Sequence, residues 1–105
     1  VRDVAFFLVR YRYTDDHAGR DARRPEHKDY LAAAADRGLI LGSGPFAAGE
    51  NAGAAMIYSA HRKDDIVAVV EEDPFYRHGY IASYEITEWI PMIGPWAVDA
   101  RARHP

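Results

Sequence analysis

The segment that most constrains this chain is residues 3–13, DVAFFLVRYRY. It is rich in Val, Phe and Tyr and contains neither Gly nor Pro, the signature of a long strand. Successive strand side chains point to opposite faces, so Ala5, Phe7, Val9, Tyr11 and Tyr13 share one side and Val4, Phe6, Leu8, Arg10 and Arg12 the other. Both sides carry large apolar groups. A strand of this kind must lie within a sheet that is covered on both faces.

The rest of the chain supplies one such cover. Thr14 to Arg24 is polar and reads as a loop, with an insert of charge between Asp15 and Arg23. Pro25 suits the first position of a helix running through Glu26 to Arg37, which Gly38 ends. Leu39 to Ala48 reads as an irregular strand, bent by its glycines and proline. The turn-forming residues 49–53 then connect it to a strand over Ala54 to Ala60, making a hairpin. A second helix is predicted from Arg62 to about Asp73, stopped by Pro74, and a last strand from Tyr80 to Ile90. The order strand, helix, strand, strand, helix, strand predicts an α+β, ferredoxin-like βαββαβ fold, an antiparallel sheet with both helices on one face.

That leaves the second face open. A chain of 105 residues has a limited core, yet 49% of this one is hydrophobic and 12% aromatic. The reading is one domain over residues 1–105, with its core at about 3–90 and an apolar tail over 91–105 that contains Trp96. Two copies packed sheet to sheet would form a dimeric α+β barrel enclosing a cavity, with the tail at the subunit contact. The alternative is that the tail folds back over its own sheet.

Several function classes are excluded or disfavoured. Without cysteine there is no disulfide framework, thiol nucleophile or Cys-based zinc site, and a cytoplasmic protein is the expectation. A formal charge of −3, with no long run of either sign, argues against a nucleic-acid partner. No apolar run approaches the roughly 18 residues of a membrane span. His17, His61, His78 and His104 lack paired ligand spacing, so no metal is expected. The glycines of residues 42–45 precede neither a Lys-Ser/Thr pair nor a helix, and Ser43 has no nucleophile-elbow context.

Two residues break the apolar stripes of the helices. Counting back four from Leu31 lands on His27, which this reading places in the first turn, where the helix dipole disfavours an imidazolium. Continuing the stripe of Ile66, Val69 and Val70 lands on Asp73. A carboxylate on an apolar face needs a partner. The pair reads either as a His–Asp dyad or as two local caps, His27 bonding backbone at a helix start and Asp73 opening the turn before Pro74. Spacing alone does not bring the two side chains together. Among the tyrosines, Tyr11, Tyr13, Tyr58 and Tyr84 are candidates to line a cavity.

Arg24-Pro25-Glu26-His27, Gly38-Leu39-Ile40 leading to Ser43-Gly44-Pro45, and Asp73-Pro74-Phe75 followed by Gly79 occur in the order and separations of the YciI-like (YCII-related) family, which the chain resembles from its first strand to about Trp89. The resemblance implies a ferredoxin-like protomer, a homodimer of the dimeric α+β barrel group, and a pocket with a His–Asp pair, here His27 and Asp73. It also implies lyase or isomerase chemistry on a small cyclic or aromatic compound. On that reading the enzyme needs no cofactor: His27 is the general base, Asp73 orients it, and Arg24 offsets an anionic oxygen at the pocket mouth. Ser43, Phe75 and Tyr11 are expected to line the pocket. The runner-up is a dimeric protein that binds a small molecule in the same pocket without chemistry.

Overall fold

The computed structural model describes residues 4–97. The elements are β1 (Ala5–Tyr13), α1 (His17–Asp36), β2 (Ile40–Pro45), β3 (Gly53–Ala60), α2 (Lys63–Glu72), α3 (Pro74–Arg77) and β4 (Ile81–Trp89). The four strands form one antiparallel sheet in the order β2-β3-β1-β4. This is the ferredoxin-like arrangement, with β1 inside the sheet as its two apolar faces require. Along it, Ala5, Phe7, Val9, Tyr11 and Tyr13 are buried in the core between sheet and helices, together with Met56, Tyr58, Ile66, Val70 and Phe75.

The segment 14–24 departs from its loop reading. Helix α1 begins at His17, so most of the charged insert is helical and Pro25 lies in the helix interior. Its missing N–H removes one intrahelical bond, a cost that packing offsets. Asp16 caps the helix by accepting from the Gly19 N–H at 2.9 Å. Arg20 is buried, its guanidinium 4.5 Å from the Tyr13 ring centroid and donating to the Thr14 carbonyl at 2.9 Å. Gly19 allows the close approach of Tyr80, the residue before β4, because a Cβ there would sit 2.6 Å from the Tyr80 hydroxyl. The buried residues of α1 are Arg20, His27 and Ala34, a seven-residue repeat that marks one helix face.

The opposite sheet face carries Phe6, Leu8, Arg10 and Arg12 against Trp89, Thr87, Glu85 and Ser83 of β4. At one end Trp96 covers it, with ring centroids 6.3 Å from Phe6 and 6.0 Å from Trp89. Within the described part of the tail, Trp96 therefore lies against its own chain's sheet, whereas Met92 and Ile93 stay exposed. The remainder of the 91–105 tail, with His104, falls outside the described residues, as does the start of the predicted first strand. At the other end the face stays open around Arg10, Arg12 and Glu85. No helix among the described residues is long and apolar enough to cross a membrane.

Candidate active site

His27 and Asp73 meet. Nδ1 of His27 lies 2.8 Å from Oδ1 of Asp73, across 46 residues of sequence. The helix that carries His27 is longer than the sequence suggests, so the imidazole sits in mid-helix rather than in the first turn. The helix-dipole argument for a neutral ring falls away, because the dipole acts within the terminal turn.

Asp73 fills both roles that its sequence position left open. It ends α2 and caps α3, with the extended backbone that a residue before proline adopts and Pro74 at the first position of the short helix. Its Oδ1 accepts from the Phe75 N–H at 2.9 Å as well as from His27, and its Oδ2 accepts from the Tyr11 hydroxyl at 2.9 Å. The residue is completely buried. A carboxylate without solvent keeps its charge only when such donors surround it. Burial, and then the Asp73 charge, hold the Tyr11 hydroxyl far above the usual tyrosine range, so it remains a donor.

The same bonds set the imidazole. An ionised carboxylate can only accept, so Nδ1 carries a proton and donates, and Nε2 of the neutral ring holds the free lone pair. The ring plane is held by Phe75, stacked parallel to it with centroids 3.8 Å apart and 2° between planes. Tyr13 meets Phe75 edge-on at 5.6 Å. His27 is thus fixed in tautomer by Asp73 and in orientation by Phe75.

A cavity of about 380 Å³ opens beside this pair, between α1 and the β2–β3 edge of the sheet. Its wall includes His27, Arg24, Lys28, Ser43, Tyr13 and Met56. The volume suits a molecule of one substituted ring. Arg24 and Ser43 stand where expected. Tyr11 and Phe75 do not line the cavity: their side chains are buried, Tyr11 against Asp73 and Phe75 against the His27 ring. Tyr13 takes the place expected of Tyr11. It lies two residues further along the same strand face, and burial raises its hydroxyl above the usual range, against the opposing pull of Arg24 and Arg20. Lys28, also on the wall, has a sequence signal that went unread: it lies one helical turn after Arg24 and next to His27. Among the described residues no three His, Asp or Glu side chains converge to hold a metal ion. The cavity lies on the helix side of the sheet, whereas a pocket between two sheets was expected. A separate cavity of about 560 Å³ occupies the open face, around Arg10, Arg12, Phe46, Glu50 and Glu85.

The arrangement is able to move a proton. An imidazole with a carboxylate on Nδ1 and a lone pair on Nε2 is a pairing able to accept a proton. The wall carries hydroxyls and cations, groups able to hold an oxygen anion.

Comparison with known proteins places this site in context. The family model for the YCII-related domain matches residues 5–90. Among solved structures, the chain is similar to 5-chloro-2-hydroxyhydroquinone dehydrochlorinase (TftG) from Burkholderia phenoliruptrix AC1100 in complex with 2,5-dihydroxybenzoquinone. That likeness has a TM-score of 0.71 and 25% identity, and covers 80% of this chain and 92% of the other. No curated protein sequence matches. With the family model spanning most of its length and a fold shared with a structurally characterised dehydrochlorinase, the chain belongs to the YCII-related domain family.

Proposed function

We propose that this chain is a lyase-type enzyme that removes a proton from a small ring substrate, with His27 as general base and Asp73 as the group that orients it. The observation that carries the reading is the 2.8 Å bond between His27 Nδ1 and a fully buried Asp73, on the wall of a cavity sized for one ring. The similar structure supports it, being that of a dehydrochlorinase bound to a ring ligand. In the elimination, Nε2 takes a proton from the substrate, the released electron pair forms a new double bond, and a leaving group departs with its bonding pair as an anion. The imidazolium then passes its proton to solvent. Returning the proton to another ring atom instead would make the reaction an isomerisation.

Two copies of the chain are proposed to pack through the open sheet face. Met92 and Ile93, in the segment after β4, are exposed to 61% and 95%, and Trp89 at the end of β4 is 36% exposed, apolar surface that a second copy would cover.

The test is incubation with halogenated hydroxyhydroquinones, followed by halide release and mass spectrometry. Halide release that is lost in His27→Ala and strongly reduced in Asp73→Asn is the expected result. Full turnover in both variants would refute the mechanism. Ring compounds that bind stoichiometrically and are recovered unchanged would instead favour the binding-protein reading.

A further inference from the structure

The charges around the His27 cavity are not mixed. Arg24, His27, Lys28 and Leu31 follow one another at helical spacing on α1 and all line it. Across from them stand Ser43 and Tyr13, and the remaining wall is apolar or backbone. Among the described residues no carboxylate belongs to the lining. Asp73, the nearest acid behind His27, is completely buried and its oxygens are occupied by His27, Tyr11 and the Phe75 N–H. Asp21 binds one N–H of Arg24 at 2.9 Å, but this exposed contact lies outside the cavity. Arg24 has further N–H donors. Lys28 makes no ion pair among the described residues. Burial keeps the Tyr13 hydroxyl in its protonated form, as a donor that does not repel an anion.

The open sheet face provides the contrast. There Arg10 and Arg12 share their cavity with Glu50 and Glu85, and Arg10 pairs with Glu85 at 3.3 Å. Charge of both signs meets there and cancels. Of these two cavities, the one at His27 presents cations without acids, in a chain whose formal net charge is −3.

We propose that the His27 cavity admits its substrate as a planar anion, a phenolate or enolate, whose oxygen is held by Arg24 and Lys28 with Tyr13 donating beside them. This rests on the reading of the cavity as the substrate site. It assigns Lys28 and Tyr13 to substrate binding. An anion with an electron-rich ring is also the species from which a leaving group is most readily expelled, so selecting it favours elimination.

Binding of 2,5-dihydroxybenzoquinone, ionised at neutral pH, and of its uncharged dimethyl ether is measured by calorimetry on the intact chain. The anion is expected to bind at least about tenfold more tightly, and the preference to shrink as salt is raised. Arg24→Gln and Lys28→Gln each reduce anion affinity by about three- to tenfold, and the double variant removes the preference. Both side chains lie outside the core, so unchanged thermal midpoints are the accompanying result. Equal affinity for the two probes, or no binding of the anion, overturns the proposal. Equal affinity in a protein that still needs His27 for turnover would leave proton transfer standing. A preference for the anion in a protein that turns over nothing would leave this inference standing alone.

Discussion

Replacing Asp73 in two ways separates its structural from its electrostatic contribution. The carboxylate serves three buried or part-buried donors: His27 Nδ1, the Tyr11 hydroxyl and the Phe75 N–H, all within 2.9 Å. Asp73→Ala leaves all three without a partner. Each orphaned donor costs about 1–3 kcal/mol, part of which is offset because a buried carboxylate no longer has to be desolvated, for a net loss of about 3–5 kcal/mol. In a domain of this size that lowers the thermal midpoint by at least about 12 °C. Asp73→Asn is milder. The Phe75 N–H can only donate, so it holds the amide oxygen on the His27 side, and the amide NH₂ faces the Tyr11 hydroxyl, which turns to accept. His27 then keeps its tautomer but loses the charge behind it. A hydrogen bond to a charged group is worth about 1.5–3 kcal/mol and a neutral one about 0.5–1.5 kcal/mol, so the imidazolium formed during proton transfer loses about 1–2 kcal/mol. The corresponding rate loss is about five- to thirtyfold. Thermal denaturation followed by circular dichroism reads the first effect, halide release the second, and nitrogen-15 NMR of the imidazole reads the tautomer. An Asp73→Ala protein as stable as the parent would refute the hydrogen-bond account. An Asp73→Asn protein with unchanged rate and tautomer would refute the electrostatic one.

Stability should fall in alkali, because burial above all holds the hydroxyls of Tyr11, Tyr58 and Tyr13 above the tyrosine range. Unfolded tyrosine ionises near pH 10, so above about that pH the folded chain binds more protons than the unfolded one, and each such hydroxyl removes up to about 1.4 kcal/mol per pH unit. Urea midpoints that stay flat from about pH 8 to about pH 11 would contradict this, and Tyr11→Phe should make the decline shallower. Gly53→Ala should destabilise by about 1–3 kcal/mol, because a Cβ there would lie 2.1 Å from the Tyr11 carbonyl oxygen and push β3 from β1. Equilibrium urea unfolding measures it, and a stability equal to the parent's would mean that the strand pairing yields at that point.

The strands were legible because their signal is local. Alternation along residues 5–13 fixes which side chains share a face whatever packs on them, and the structure buries Ala5, Phe7, Val9, Tyr11 and Tyr13 together. The start of α1 was not legible. Its first turns are polar, and their helical state depends on Arg20 lying under Tyr13 and the Thr14 carbonyl, contacts made only after the chain folds back. Pro25, a strong local signal, was overridden by that packing. The candidate site divides in the same way. His27 and Asp73 stood out as polar residues on apolar stripes, because a buried polar group is unusual wherever it occurs. The side chains behind them were misplaced: Tyr11 and Phe75 are apolar-face residues like their neighbours, and only three dimensions separate those that back the dyad from those, like Tyr13, that reach the cavity.

By itself the sequence determined the order of the main strands and helices, which side chains of the first strand share a face, and the two residues that do not belong on their stripes. These follow from backbone geometry and side-chain periodicity, which act over a few residues. The tertiary structure decided that those two residues touch, which imidazole nitrogen faces the carboxylate, and that the cavity wall is cationic. Each of these depends on groups brought together from distant parts of the chain: 46 residues separate His27 from Asp73, and 62 separate Tyr11 from Asp73. The crossovers of the ferredoxin-like fold close those distances, and no local pattern encodes where the closed chain leaves its hydrogen-bond donors.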